Sequence, residues 1–462
     1  MREMSCRLLV IGAGPGGYVC AIRAGRLGVD TVVVDPAPPG GTCLNVGCIP
    51  SKALIQAADE FHRIAGLAAA PAMGVSAGGA AIDLAATVAW KDAIVARLTG
   101  GVAGLLRRAG VRLVAGEAVL RDGKTAVVTT PEGPVMIRAE VLVIATGSEP
   151  VALPSLPFGG RVISSSDALA LTDLPESLAV VGGGYIGLEL GTAFAKLGAR
   201  VTVIEAAPRI LPQYDAELTR PVMQRLEALG VRVLTGARAG GMSADGALRV
   251  ALADGAEDIL ADRVLVTVGR RPRTAEAGIR ELRLDMDGPF IRVDDRCRTS
   301  MRGVLAIGDV TGEPMLAHRA MAQGEMVAEL VAGHRRTWDR RAIPAVCFTD
   351  PEIVSVGLGP DEARLAGHEV TVGMFPFSAN GRAMTALRED GFVRVTARAE
   401  TGEVLGIHAV GAGVSELAAG FALAVEMAAR IEDIAGTIHA HPTRGEALHE
   451  AALRALGQPL HI

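Results

Sequence analysis

Two stretches of this chain carry the same design. Residues 8–35 open on the apolar run Leu8-Leu9-Val10-Ile11, pass through Gly12-Ala13-Gly14-Pro15-Gly16-Gly17, continue as an alanine-rich helical run to Leu27-Gly28, and close on Thr31-Val32-Val33-Val34-Asp35. Residues 178–205 repeat it with Gly182, Gly184 and Gly187 in the turn and Glu205 at the end. The first glycine precedes the acid by the same distance in both copies (12 to 35 and 182 to 205). A Gly-x-Gly-x-x-Gly turn between strand and helix lets the chain turn tightly at the first glycine, lets a pyrophosphate approach at the second and lets helix pack on strand at the third. The helix N-terminus offers free N–H groups to phosphate, and the terminal acid can accept from ribose hydroxyls. One copy is weak evidence. Two, each in strand–turn–helix context with the acid at matching distance, predict two dinucleotide sites.

Further glycine-ended strands follow each unit, at 140–147, 262–269 and 303–308. Beyond Pro344 the pattern changes to strands and helices with no glycine-rich loop. The expected fold class is α/β, with two Rossmann-like dinucleotide-binding domains and a C-terminal α+β domain. The expected boundaries are 1–150, 151–275, 276–345 and 346–462.

Composition removes several classes. With 46 basic against 51 acidic residues the formal net charge is −5, which gives no electrostatic reason to expect nucleic acid or an anionic membrane as partner. Aromatics at 3% leave nothing for base-stacking platforms. The stretch Ile64–Ile82 is uncharged apart from Arg63 before it and is broken by Pro71 and four glycines, so it reads as a surface loop rather than a membrane span. The first strand begins too early for a signal peptide, and a cytoplasmic protein is expected.

Of six cysteines, only Cys43 and Cys48 are close, in Gly40-Gly41-Thr42-Cys43-Leu44-Asn45-Val46-Gly47-Cys48-Ile49-Pro50-Ser51-Lys52. Six scattered cysteines do not make a secreted disulfide scaffold. A structural disulfide closing so short a loop would contribute about 2 kcal/mol and would tend to open in a reducing cytosol. No second Cys/His pair stands at zinc spacing, so no metal site is expected. A redox pair accounts for the spacing better, and a helix starting near Cys48, with Pro50 in its first turn, would favour the Cys48 thiolate. Two nucleotide units and one dithiol together describe an electron-transfer chain. At the second site Glu205 would repel a 2′-phosphate, and Ala206 and Ala207 hold no cation for one, so NAD is expected over NADP; Arg209 is expected to point outward.

On these motifs the chain resembles the pyridine-nucleotide–disulfide oxidoreductases over essentially its whole length. The segment Gly40–Lys52 carries the most specific part of the resemblance. Ala306-Ile307-Gly308-Asp309 with Met315-Leu316-Ala317-His318 is similar to the family's second flavin motif, and His439-Ala440-His441-Pro442-Thr443-Arg444-Gly445-Glu446 to its catalytic-base segment. The stretches 317–328, 346–352 and 375–384 are most similar to members serving branched-chain 2-oxoacid dehydrogenase complexes.

The resemblance implies FAD at Gly12, Gly14, Gly17, Asp35, Gly41, Thr42, Lys52, Thr146, Gly147, Asp309, Met315, Leu316, Ala317 and His318. It implies NAD at Gly182, Gly184, Tyr185, Ile186, Gly187, Glu205, Gly269 and Arg270. It implies oxidation of dihydrolipoamide carried on lipoyl domains, docking on the acyltransferase core of a 2-oxoacid dehydrogenase complex, and a homodimer that joins Cys43 and Cys48 of one subunit to His441 of the other. Lys52 is then expected to pair with Glu189 beside the flavin, an ordinary ion pair being the plainer reading of the same two residues. His441, with Glu446 as its orienting carboxylate, is preferred as the base over His439.

Two departures from the family pattern stand out: Arg273 where Asn is common, and Arg444-Gly445 where a bulkier pair is common. Rival assignments remain. A glutathione-reductase-like member would need cations near Glu205, and a mercuric- or thioredoxin-reductase-like one would need redox residues at the C-terminus. A soluble transhydrogenase would lack the dithiol. A non-catalytic flavin-bound docking subunit would need a dead site.

Overall fold

The computed structural model describes residues 1–462. Its first sheet is built on the strand Arg2–Ile11, which pairs in parallel with Thr31–Asp35 on one side and Gly133–Ile144 on the other. Arg112–Ala115 extends the first side, and Val304–Ala306 lies parallel beside Gly133–Ile144. Leu8, Leu9 and Val10 are fully buried, as expected of a parallel strand covered on both faces. Register places the active edge. Ile11 pairs with both Val34 and Ile144, and Ile144 with Ala306. The four strands therefore end level, and the segments following them all emerge at the same carboxyl edge, the usual ligand crevice of such sheets.

The second sheet repeats the scheme, all parallel, in the order Arg232–Thr235, Arg200–Glu205, Ser177–Val181, Arg263–Val266, Val162–Ile163. Val181 pairs with both Ile204 and Val266, which brings Gly182, Glu205 and the 267–269 turn to one edge. Ser148–Pro150 pairs antiparallel with Arg270–Pro272, so the segments leaving the two sheets form a shared ribbon. The C-terminal region is a five-stranded antiparallel sheet, Ala345–Cys347, Glu352–Gly357, Val404–Gly411, Phe392–Arg398 and Val370–Pro376, with the helix Glu446–Ala455 packed so close that a Cβ on Gly373 would lie 1.9 Å from the Ala451 oxygen.

One sequence expectation is corrected. Residues 64–69 are not loop but the last turns of the helix Cys48–Ala69. Alanine and leucine are strong helix formers, Gly66 is tolerated inside, and the first proline comes only at Pro71.

Asp350 ties the C-terminal region to the nucleotide units. This buried carboxylate takes Lys196 Nζ at 2.7 Å, Arg225 Nε at 2.9 Å, and Arg388; Lys196 also binds Asp59. Burial alone would push the Asp350 carboxyl up, but Lys196, Arg388 and Arg225 outweigh it and hold it well below the ordinary carboxylate range. A carboxylate titrating lower folded than unfolded stabilises fully above its unfolded value, and the contribution is lost as pH falls toward its folded one. Asp350→Asn is expected to lower stability by about 3 kcal/mol at neutral pH, because it takes a shared charge from three cations, one of them buried, and leaves Lys196 with Asp59 and Arg388 with Asp390. Thermal melting of the holoenzyme checks it, with the difference from the unmodified protein shrinking in acid.

Candidate active site

Backbone geometry fits both glycine turns to a phosphate. Gly12 sits at φ +101°, and a Cβ there would lie 2.3 Å from the Ala145 oxygen; on Gly17 it would lie 1.9 Å from the Gly12 oxygen. Side chains are excluded at both ends of the turn. Gly14 is different, since its nearest neighbour would be the Gly41 Cα at 3.9 Å. The second turn repeats this: Gly182 at φ +108° would meet the Thr267 oxygen at 2.6 Å, Gly187 the Gly182 oxygen at 2.2 Å, and Gly184 nothing within 4 Å. Gly14 and Gly184 are also the N-caps of the helices Pro15–Arg26 and Tyr185–Leu197, and neither can supply a side-chain cap. The cap residues thus place no side chain over the first-turn N–H groups, as a pyrophosphate requires.

The two acids do more than the sequence suggests. Asp35 accepts from the N–H groups of Ala13 at 2.6 Å and Ala37 at 2.9 Å; Glu205 accepts from Gly183 at 2.6 Å and Ala207 at 2.7 Å. Each carboxylate braces its own glycine turn and keeps further lone pairs for a ribose. Burial raises the Asp35 carboxyl above its ordinary value despite those hydrogen bonds. Arg209 is a correction to the sequence reading. Its guanidinium does not point outward but folds back on the carbonyls of Leu211, Pro212 and Tyr214. It is committed to its own turn and offers no cation to a 2′-phosphate. Replacing Glu205 by Gly and Ala206 by Arg is expected to shift the ratio of kcat/KM for NADPH over NADH upward by about 100-fold, as expected when a repelling carboxylate becomes a charge-assisted partner. Equal use of both nucleotides by the unmodified enzyme would sink this reading.

The dithiol spans two helices. Cys43 lies in Gly41–Val46, and Cys48 is the first residue of Cys48–Ala69, as the sequence predicts. The neighbouring Cys43 thiol is the chief reason the Cys48 thiol is brought down to about 7. Surrounding protein opposes ionisation there, although Cys48 itself is exposed, and Lys52, one turn along the same helix, supports it. Cys43 moves the other way, because it holds the shared proton and is itself partly buried. Of the pair, Cys48 is the sulfur that ionises more readily. Cys6, Cys20, Cys297 and Cys347 are buried, and burial pushes each of their thiols up.

Lys52 Nζ binds the Glu189 Oε2 at 2.8 Å, and the other Glu189 oxygen accepts the Phe348 N–H at 2.9 Å. Glu189 is buried. Phe348 lies in the stretch 346–352 that carries part of the resemblance, but sequence reasoning gave it no role, because it stands almost 300 positions from Lys52.

At the shared edge, Thr146 donates to the Arg273 carbonyl at 2.7 Å, and the Arg273 N–H bonds the Gly147 oxygen at 2.9 Å. The unusual Arg273 side chain lies 3.4 Å from Glu149 and close enough to Asp35 to act on its charge. Ser148, also missed, donates to Asp309 at 2.5 Å and accepts from Arg270 at 2.8 Å. Arg270, read as a second-site residue, is therefore bound to the first site through Ser148. Gly269, just before it, accepts the Val151 N–H at 3.1 Å in the same ribbon. Tyr185 opens the helix Tyr185–Leu197 after the second turn, exposed, with Arg270, Glu189 and Asp309 near enough for their charges to act on its phenol. Ile186 follows it, half-buried. Leu316 caps the helix Ala317–Val331, with the Met315 N–H held by Glu313 and His318 Nε2 2.7 Å from the Pro344 oxygen. The N–H groups of Ala317 and His318 belong to that helix's open first turn. Thr42 is exposed on the short helix that carries Cys43.

His441 Nδ1 lies 2.8 Å from Glu446 Oε1, and Glu446 Oε2 accepts the Thr443 N–H at 2.8 Å. Burial works against the Glu446 charge, but these donors prevail and hold its carboxyl below the ordinary value. With Nδ1–H turned to the carboxylate, Nε2 is the nitrogen free to take a proton. The His441 side chain is 81% exposed and its one side-chain partner in the chain is Glu446; neighbouring Ile438 is 97% exposed. Within one chain His441 and the dithiol are not brought together. The second departure leaves this geometry intact, since Gly445 has ordinary helical angles and Glu446 keeps both hydrogen bonds.

Residues 6–324 match the family model described as pyridine nucleotide-disulphide oxidoreductase, and residues 343–452 match that family's dimerisation domain. The chain is 59% identical over 459 residues, 98% of each chain, to a dihydrolipoyl dehydrogenase of Pseudomonas aeruginosa. It is 45% identical to one of Geobacillus stearothermophilus, over 98% of this chain and 97% of that one. Among solved structures, LpdA from Mycobacterium tuberculosis superposes with a TM-score of 0.88 at 28% identity, covering 97% of this chain and 99% of that one. The HOCl-induced flavoprotein disulfide reductase RclA from Escherichia coli gives 0.86 at 25%, with the same coverage.

Proposed function

The chain belongs to the pyridine nucleotide-disulphide oxidoreductase family, and on that premise we propose that it oxidises dihydrolipoamide to lipoamide while reducing NAD to NADH. One observation carries the reading: a dithiol set at a helix start, Cys43 on the short helix before it and Cys48 as the first residue of the next, with the Lys52–Glu189 pair one turn along and two glycine turns shaped for phosphate. FAD would be held at the first turn with Asp35, Gly41, Thr42, Lys52, Thr146, Gly147, Asp309 and 315–318, and NAD at the second turn; when bound, the flavin would supply the two-electron redox chemistry between the dithiol and the nicotinamide.

The residues supply the thiol chemistry. Nε2 of His441, from a second copy of the chain, takes a proton from one substrate thiol. The resulting thiolate attacks Cys43 Sγ of the Cys43–Cys48 disulfide, and Cys48 leaves as thiolate. The second substrate thiol releases its proton to solvent as its sulfur attacks the first, the mixed disulfide breaks, and Cys43 leaves, taking the proton from His441. Two substrate S–H groups have become one S–S bond, and the protein S–S bond has become a Cys43 thiol and a Cys48 thiolate, with one proton released. Lys52 supports the negative charge that gathers around Cys48. The exposed His441 loop and the matched dimerisation domain support an active site completed across a homodimer.

We assign 1–150 and 276–345 to the flavin unit, 151–275 to the nicotinamide unit and 346–462 to the dimer interface. The return of Val304–Ala306 to the first sheet supports grouping the first two. Lipoyl domains and an acyltransferase core, suggested to be those of a branched-chain 2-oxoacid complex in the cytoplasm, are the proposed partners. No helix is long and apolar enough to cross a membrane. Anaerobic titration with dihydrolipoamide and then NAD is expected to produce a long-wavelength thiolate–flavin absorbance followed by NADH. Silence with dihydrolipoamide but turnover of glutathione disulfide would overturn the substrate; copurification with the native complex identifies the core.

A further inference from the structure

We infer that Phe348 is a positioning residue for the dithiol half of this reaction: its ring and its backbone N–H together hold the Lys52–Glu189 pair so that the Lys52 ammonium stays beside Cys48. The inference rests on the function proposed above only for the identity of the bound flavin.

Three observations converge on it. The Lys52 Nζ stands 4.3 Å from the centre of the Phe348 ring while bound to Glu189 at 2.8 Å, so the cation is gripped between a π face and a carboxylate. The Phe348 N–H takes the remaining Glu189 oxygen at 2.9 Å, which turns the carboxylate toward Lys52. Lys52 and Cys48 are four positions apart on one helix and so share a face. A lysine has a long, flexible side chain, and a single carboxylate partner would leave it mobile about that contact. Here the ring limits its movement.

The ring is in turn fixed by the loop that carries it. Cys347 before it is fully buried in a strand, Thr349 after it bonds the Pro351 oxygen at 2.7 Å, and Asp350 is held by Lys196, Arg225 and Arg388. Phe348 therefore carries the placement of the C-terminal region into the flavin-side ion pair.

Phe348→Leu and Phe348→Met keep the backbone N–H and the apolar bulk but remove the π face; Met can fill the same space should Leu leave the loop unfolded. In holoenzyme reduced with one equivalent of dithionite, the pH at which the thiolate–flavin absorbance is half-developed is expected to rise by about half a unit, the shift that loss of a cation–π contact would give. Dihydrolipoamide turnover near neutral pH is expected to fall about threefold at unchanged KM. Phe348→Tyr, which retains the ring, is expected to behave as the unmodified protein. In a Lys52→Met background the Leu and Met changes are expected to shift nothing further. An unchanged midpoint in both variants, or the same rise without Lys52, would overturn the role. The absorbance titration uses no dihydrolipoamide, so an enzyme inert toward that substrate would remove the proposed substrate while this result still decided the role of Phe348.

Discussion

Cys43→Ser is expected to abolish dihydrolipoamide oxidation, with turnover falling by about 10⁴-fold or more, the scale on which removal of a nucleophile is felt. The variant is also expected to fold and retain flavin, since Cys43 is half-buried and the glycine turns that fit the cofactor involve none of its side chain. More telling is its colour. Cys48 keeps the helix start and Lys52 beside it, and a serine hydroxyl can replace the hydrogen bond from the Cys43 thiol. The thiolate–flavin absorbance should then be present without any reductant. Cys48→Ser should show neither activity nor absorbance. If the two variants behaved alike, the assignment of distinct roles to the two sulfurs would fail.

His441→Gln is expected to slow the thiol half-reaction by about 10²–10⁴-fold, the range for a lost general base, while flavin reduction by NADH changes little. The geometry predicts a milder defect for Glu446→Gln. It would keep a hydrogen bond to Nδ1 but lose the charge that favours the imidazolium formed on proton uptake, and its amide group would present a donor where the Thr443 N–H needs an acceptor. Rapid-mixing measurement of each half-reaction separates these effects. Equal slowing of both halves in His441→Gln would remove His441 from the role of base.

What the sequence revealed was what local chemistry demands. Gly17 and Gly187 are required by the oxygens of Gly12 and Gly182 five residues before them, and Gly12 and Gly182 by the positive φ of the turn itself, with the distant Ala145 and Thr267 oxygens adding a second constraint, so their pattern alone located both turns. The dithiol and the helix start at Cys48 are likewise contiguous. Residues whose roles depend on the folded chain were invisible. Phe348 reaches Lys52, Ser148 links Arg270 to Asp309, and Asp350 gathers Lys196, Arg225 and Arg388 from separate elements. Nothing in their neighbours' periodicity distinguishes them. Arg209 failed in the opposite sense: its neighbours in sequence, the carbonyls at 211, 212 and 214, captured a side chain expected to be free.

The Asp350 cluster also limits how this molecule could be recombined. Its cations come from the helices Tyr185–Leu197 and Ala216–Ala228 and from the loop at Arg388, and Asp59 shares one of them. A chimera that took residues 346–462 from a relative lacking this aspartate would keep every reacting group of the donor and recipient, yet leave Lys196 with Asp59 alone. The seam between nucleotide units and dimer interface thus has its own compatibility rule, written in one carboxylate and the two cations across it, Lys196 and Arg225, rather than in loop length, and parts exchanged across it would have to be matched there first.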